Sequence, residues 1–288
     1  MKIKIAIFGY GNIGHAAEAA IRKAQDMTLV GVFHHDEAER VIASEPDVVL
    51  LCTPTREVQE WAPLFLNKGI CTIDSFDIHG EIYSLAENLT PICREGKAVA
   101  IISAGWDPGS DSMIRAIMTA LVPEGVGYTN FGPGRSMGHT VAAKAIAGVK
   151  DALSMTLPAG KGKHNRHVYI EIEEGYDFEQ VKAAILRDDY FAHDDTEVEL
   201  VPSVAAINTT NHGVHIERNG LSGDTPNEQI DFTMRINNPA LTGQMMTSCA
   251  RAAYRMRQRA EWGCFTTIEL RPIDLLPWER EKTIREMV

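Results

Sequence analysis

Three groups of residues have types and spacings suited to chemistry. The first is Gly9-Tyr10-Gly11-Asn12-Ile13-Gly14, a GxGxxG run close to the start of the chain. Its first glycine allows a tight turn, the second lets backbone approach a pyrophosphate, and the third lets a helix pack closely on a strand. The second group is two carboxylates, Asp77 and Asp107, in Asp74-Ser75-Phe76-Asp77 and Gly105-Trp106-Asp107-Pro108-Gly109. A single aspartate in such a stretch is as easily a turn or a helix cap. Two of them beside a nicotinamide pocket, with no lysine or histidine in either stretch, suit a cation, and an ammonium group is the natural guest. The third group is Lys161-Gly162-Lys163-His164-Asn165-Arg166-His167, a basic segment in an acidic protein. Its lysines read as solvated, whereas the planar fork of Arg166 suits a carboxylate. Asn211, His212 and Asn238 add neutral donors at predicted strand ends.

These groups need elements to hold them. Apolar runs at Lys4–Phe8, Thr28–Phe33, Asp47–Cys52, Ile70–Ile73 and Ala98–Ser103 read as strands buried on both faces. Ile13, Ala17, Ala20, Ile21 and Ala24 recur at helical spacing between the first two, as do Val58, Trp61, Leu64 and Phe65 further on. Alternation of this kind predicts an α/β, doubly wound parallel sheet of the Rossmann type. In such sheets ligands sit beyond the carboxyl ends of the strands. That places Cys52-Thr53-Pro54-Thr55, Ser75-Phe76 and the two aspartates beside the glycine loop. The end of the second strand reads Phe33-His34-His35-Asp36, with neither the acid that holds a ribose hydroxyl nor the arginine that holds a 2′-phosphate. His34 and His35 are suited to donate to a phosphate, which favours NADP, while Asp36 turned inward would favour NAD.

The pattern then changes. His167–Glu173 and Gln229–Ile236 alternate strictly, predicting antiparallel strands with one wet face, and helices are expected near His139–Ile146 and Phe178–Arg187. Glu171, Glu173 and Glu174 read as a solvated charge run. After Pro239, a helical stretch Gly243–Ala260 and the apolar Cys264–Leu270 return to the first style. Met245, Met246, Cys249, Ala253 and Met256 lie at helical spacing and read as core. The expected organisation is a dinucleotide-binding domain (1–118), an α+β substrate and dimerisation domain (119–238), and a segment returning to the first (239–288).

Composition narrows the function further. Lys and Arg total 28 against 39 Asp and Glu, a net charge of −11, which argues against a nucleic-acid partner. No apolar run reaches the ~18 residues of a membrane span. The five cysteines are scattered and no metal-ligand spacing appears, so a cytoplasmic enzyme without a bound metal is expected.

Taken in order, several stretches are similar to the meso-diaminopimelate D-dehydrogenase family over essentially the full chain. They are Gly9–Gly14, Asp74–His79, Ser103–Gly109, Phe131–Gly134, Ser136–His139, Met155–Pro158 and Arg235–Thr242. The resemblance implies NADP-linked, reversible oxidative deamination of the D-centre of meso-2,6-diaminopimelate by a homodimer. It implies that Asp77, Trp106 and Asp107 surround the reacting amino centre. Phe131, Met137 and Gly138 would line that pocket, and Thr156, Arg166, His212 and Asn238 would hold the distal L-end. Family members usually carry paired arginines where this chain has His34 and His35, so NAD use is also open. Two rival readings are a sugar dehydrogenase of the glucose-fructose oxidoreductase type and a non-catalytic NADP(H) sensor. The first needs a Glu-Lys-Pro strand tip, and here the tip is Asp74-Ser75-Phe76-Asp77; the second leaves the charged strand tips without a purpose.

Overall fold

A computed structural model describes residues 2–207 and 212–288, the side chain of Met137 excepted; Asn211 lies outside the described residues. The chain begins β1 (Ile3–Phe8), α1 (Asn12–Lys23), β2 (Met27–Phe33), α2 (Ala38–Ala43), β3 (Val48–Leu51), α3 (Val58–Leu66), β4 (Cys71–Asp74), α4 (Ile82–Gly96), β5 (Val99–Ile101) and α5 (Ser110–Leu121). It continues β6 (Glu124–Phe131), β7 (Gly134–Arg135), α6 (Met137–Lys144), β8 (Val149–Gly160), β9 (Lys163–Ile172), α7 (Phe178–Arg187), β10 (Asp195–Leu200), β11 (His212–Ser222) and β12 (Thr225–Ile236). It closes with α8 (Asn238–Gln258), β13 (Gly263–Phe265), α9 (Pro272–Leu275) and α10 (Arg280–Met287). Two compact units result, residues 1–116 with 238–288, and residues 117–237.

In the first unit six parallel strands run in the order β13-β5-β4-β3-β1-β2. Successive strand residues feed opposite cores. Ile5, Ile7, Val48, Leu50, Ile73 and Ile101 pack with α1 and α8, while Ala6, Phe8, Val49, Leu51 and Ala100 pack with α3 and α4. Both faces are dry, which is why these runs show no polar alternation. Met245, Met246, Cys249, Ala253 and Met256 of α8 are buried in the first of those cores. At Gly243 a Cβ would stand 2.6 Å from the Ala17 amide nitrogen, so α8 lies hard against α1. Arg251, itself buried, holds Asp26 with two N–H groups, and Arg257 Nη2 donates to Asp47 at 2.7 Å.

The second unit holds two sheets, β10-β9-β8-β7 and β12-β11-β6. β9 is antiparallel to β8 but parallel to β10, which corrects the all-antiparallel expectation. The reason is α7, which separates β9 from β10 in the chain and buries Val181 and Ile185 against Val168, Ile170 and Val198. Period-two alternation reports the dry face and is silent on a neighbour's direction. Glu171 is a second correction. It is half-buried, accepting from the Val204 amide at 2.8 Å and from Lys150 Nζ at 2.9 Å. The basic segment is a hairpin, with Lys161 and Gly162 both at positive φ between β8 and β9.

Candidate active site

The strand order turns at β1, which lies between β2 and β3, so connections leave it to opposite sides. The glycine loop follows β1. Gly9 has φ +95°, and a Cβ there would stand 2.5 Å from the Cys52 carbonyl oxygen. A Cβ on Gly14 would stand 2.6 Å from the Gly9 carbonyl oxygen, whereas at Gly11 nothing lies within 4 Å. Side chains are thus excluded where the chain crosses itself, and the backbone is bare where a ligand would approach. α1 starts at Asn12 with no side-chain cap and no acid in its first turn. Its leading N–H groups and positive dipole end suit a diphosphate. Tyr10 bonds Glu18 through its hydroxyl, and Ile13 packs on the core.

At the end of β2, His34, His35 and Asp36 are all exposed. The His34 amide donates to Glu37 Oε2 at 2.9 Å, Glu37 pairs with Arg40, and the Arg40 guanidinium lies 6.0 Å from the Phe33 ring centroid. Glu37 and Arg40 are additions to the sequence reading; the signal was an acid three residues past the turn, at a helix start.

After β3, Thr55 Oγ1 donates to Asp77 Oδ1 at 2.6 Å, and the Thr53 hydroxyl is buried. Burial pushes the Cys52 thiol up to about 12, so it is no nucleophile at neutral pH. Asp77 itself is exposed. Asp74, fully buried at the end of β4, accepts from the Phe76 amide at 2.9 Å and the Ser103 amide at 3.1 Å. One carboxyl group therefore ties the loop of Asp77 to the loop of Asp107, and burial pushes it up to about 7. Ser75 is half-buried, and the Phe76 ring belongs wholly to the core.

The Asp107 loop is a knot of its own backbone. A Cβ on Gly109 would overlap the Gly105 carbonyl, and the Ser110 and Asp111 amides donate back to Gly105 and Trp106. Trp106 is buried, and the Asp107 side chain is 17% exposed. Burial, then the neighbouring Asp111, push Asp107 up to about 7, with Asp77 adding to the rise and Arg115 opposing it.

The second unit gathers Thr156 and Arg166, cross-strand partners on β8 and β9. Arg166 is buried, and each of its three nitrogens has a partner. Nε donates to Asp194 Oδ2 at 2.6 Å, Nη2 to His164 Nε2 at 2.9 Å, and Nη1 to Thr156 Oγ1. His139 Nε2 lies 3.7 Å from Asp194, and its Nδ1 bonds Ser136 Oγ at 2.9 Å. His212 Nδ1 lies 2.8 Å from the Gly213 amide nitrogen and 3.1 Å from the Gly213 carbonyl oxygen. Burial and then the Arg166 charge lower the proton affinity of His139 and His164; burial does so for His212, with Arg166 adding to it. Phe131 ends β6 opposite Val214, and Gly138 is exposed on α6. Asn238 opens α8 in the first unit, and its Oδ1 accepts from Thr242 at 3.4 Å. Elsewhere His215, Glu217 and Asp231 bring ligand-type atoms within 4.8 Å, and His215 Nε2 already pairs with Asp231 at 3.0 Å.

Comparison with known proteins places this architecture. Residues 105–162 match the diaminopimelic acid dehydrogenase C-terminal domain. The chain is 50% identical to meso-diaminopimelate D-dehydrogenase of Bacteroides fragilis, across 100% of this chain and 99% of that one. It is 32% identical to the enzyme of that name from Acetivibrio thermocellus, covering 100% and 98%. The chain belongs to the meso-diaminopimelate D-dehydrogenase family. Among solved structures, the Corynebacterium glutamicum diaminopimelate dehydrogenase in complex with diaminopimelate matches at TM-score 0.89 and 30% identity, covering 100% and 99%. An engineered D-amino acid dehydrogenase bound to NADP+ matches at 0.84 and 28%, each chain covered fully. For this family member, no helix among the described residues is long and apolar enough to cross a membrane.

Three acids in this diaminopimelate dehydrogenase fold escaped the sequence reading: Asp74, Asp111 and Asp194. Each has its carboxyl turned to a partner from elsewhere in the chain or a turn along the helix, and single aspartates in such stretches look like turn or cap residues.

Proposed function

We propose that the protein catalyses the reversible oxidative deamination of the D-centre of meso-2,6-diaminopimelate, with NADP as cofactor, giving 2-amino-6-oxopimelate and ammonia. The observation that carries this reading is the bare glycine cradle on the same sheet edge as Asp77 and Asp107. It is supported by full-length identity to enzymes of that name. A bound nicotinamide would supply the acceptor for the hydride that leaves Cα. The protein's own task is to orient that carbon and to stabilise the charge that forms as hydride leaves. Positive charge then spreads from Cα onto nitrogen as an iminium. Asp77 and Asp107 act there as an oxyanion hole of reversed sign.

Trp106 walls the amino centre, and Phe131, Met137 and Gly138 line its pocket and meet its carboxylate. Thr156, Arg166, His212 and Asn238 take the distal amino-acid end. Three N–H groups of Arg166 are engaged among the described residues and a guanidinium has five, so it retains donors for a carboxylate. Gly9 to Gly14 hold the diphosphate; Cys52, Thr53, Pro54, Thr55, Ser75 and the backbone of Phe76 border the nicotinamide; and His34 and His35 meet the 2′-phosphate. Family resemblance also supports a homodimer, and five unpaired cysteines suit a reducing compartment such as the cytoplasm.

The test mixes purified protein with meso-diaminopimelate and either NADP+ or NAD+, following nicotinamide reduction and ammonia release. Rapid turnover with NADP+ is expected. Reduction driven by sugars but not by diaminopimelate, or none with any amino acid, would overturn the reading.

A further inference from the structure

Behind Asp107 stands a second carboxyl group that the mechanism above does not use. Asp111 lies in the first turn of α5 and its side chain is fully buried. Its Oδ2 is 2.9 Å from Arg115 Nη2, while Asp107 Oδ1 is 3.9 Å from the same nitrogen. Asp107 Oδ1 and Asp111 Oδ2 are both shut off from solvent, so the two carboxyl groups face one guanidinium in a dry setting. Two carboxylates this close in a dry setting repel, which raises the proton affinity of one of them. Arg115 sits nearer Asp111, and the start of α5 favours negative charge there. Asp107 is therefore the member of the pair whose proton affinity rises.

We propose that Asp111 is a positioning residue that acts through Asp107: its fixed negative charge, clamped by Arg115, makes Asp107 a stronger proton acceptor at the D-amino centre than a lone carboxylate would be. This deepens the deamination reading and rests on it for the identity of the reaction. The charged groups facing Asp107 are Asp111 and Arg115 from α5 and Asp77 from the loop after β4. Burial first, and then Asp111, push Asp107 up to about 7, the range in which acid–base catalysis works best.

The proton has a place in the chemistry. As water adds to the iminium carbon, its oxygen forms the C–O bond, the C=N π pair returns to nitrogen, and one water proton passes to the Asp107 carboxylate. That proton then moves to the nitrogen. The C–N bond breaks with its electron pair on ammonia, an oxygen lone pair closes the carbonyl, and the hydroxyl proton goes to solvent. Asp107 ends as it began.

The experiment compares wild type, Asp111→Asn and Arg115→Gln by two readouts. The first is carboxyl titration in cofactor-free protein carrying 13C-labelled aspartate, with Asp107→Asn to assign the signal. The second is the pH profile of kcat/KM for diaminopimelate oxidation. Asp111→Asn should move the Asp107 titration and the acid limb down by about one pH unit or more, and Arg115→Gln should move both up. A merely structural role would lower rate without moving either midpoint. Unmoved midpoints in variants that turn over diaminopimelate would overturn the proposal and leave the reaction standing. The expected titration shifts in a protein inert toward diaminopimelate would keep the proton pair but end both its catalytic role and the deamination reading. Should Asp111→Asn fail to fold, the upward shift in Arg115→Gln, whose side chain is 38% exposed, decides alone.

Discussion

The carboxyl-rich strand ends of the first unit and the Arg166 cluster of the second solve opposite electrostatic problems. Around Asp107 stand two more acids and one arginine. Around Arg166 stand one acid and three histidines whose proton affinity burial and Arg166 have lowered. The first set is short of positive charge, so it takes up a proton more readily than a lone carboxylate and suits an ammonium or iminium. The second has spare positive character without further full charges, because its histidines are neutral at neutral pH. On the proposed function, one region exchanges a proton and the other holds an anion still. An amino acid with two zwitterionic ends presents both demands.

The contrast can be broken at several points, in descending order of effect. Asp107→Asn should lower kcat by about 10²–10³-fold while leaving the KM for NADP+ nearly unchanged, as steady-state kinetics would show. A change confined to the cofactor KM would remove the aspartate from the chemistry. Arg166→Ala should cost about 10²-fold in kcat/KM with diaminopimelate, since a buried, hydrogen-bonded charge is lost. D-Alanine, which has no distal acid, should be spared. Equal loss on both substrates would assign Arg166 to folding alone.

The histidines give a subtler test. Their lowered proton affinity means that protonation begins below the usual histidine range near 6.5. A dicarboxylate such as pimelate should therefore bind with little change between pH 8 and 7, then tighten several-fold towards pH 5 as positive charge is gained. Isothermal titration calorimetry with the His139→Asn variant would show that gain reduced.

Asp74 sharpens the same contrast through stability. Folded, it keeps its proton up to about pH 7; unfolded, it loses it near 4. The folded chain thus binds more protons between those values, and stability falls as pH rises through that window. Asp74→Asn keeps an acceptor for the Phe76 and Ser103 amides and should flatten this slope in urea titrations. Asp74→Ala should cost about 1–3 kcal/mol by orphaning two buried N–H groups.

Much of this molecule can be read from residue order. The parallel sheet was legible because strands buried on both faces must be apolar throughout, and the cradle because only glycine fits at Gly9 and Gly14. Asp77 and Asp107 were legible by their place at strand ends. Asp194 was not, because its tie to Arg166 spans 28 residues and depends on how β9 and β10 pair. Asp111 was hidden differently. An aspartate in the first turn of a helix is so ordinary a dipole partner that nothing marked it as Asp107's neighbour. The parallel pairing of β9 with β10 was invisible for a third reason, since it is decided by α7 and not by either strand.

The return of the chain to its first unit carries a consequence for biosynthesis. α8 roofs one face of the parallel sheet and β13 covers the outer side of β5, yet both lie more than a hundred residues after β5. A nascent chain therefore exposes Ile5, Leu50, Ile73 and Ile101 for as long as the whole of residues 117–237 takes to emerge. Ribosome-stalled chains ending near residue 120 should be protease-sensitive and held by chaperones, and protection of the nucleotide loop should arrive only once α8 has been made.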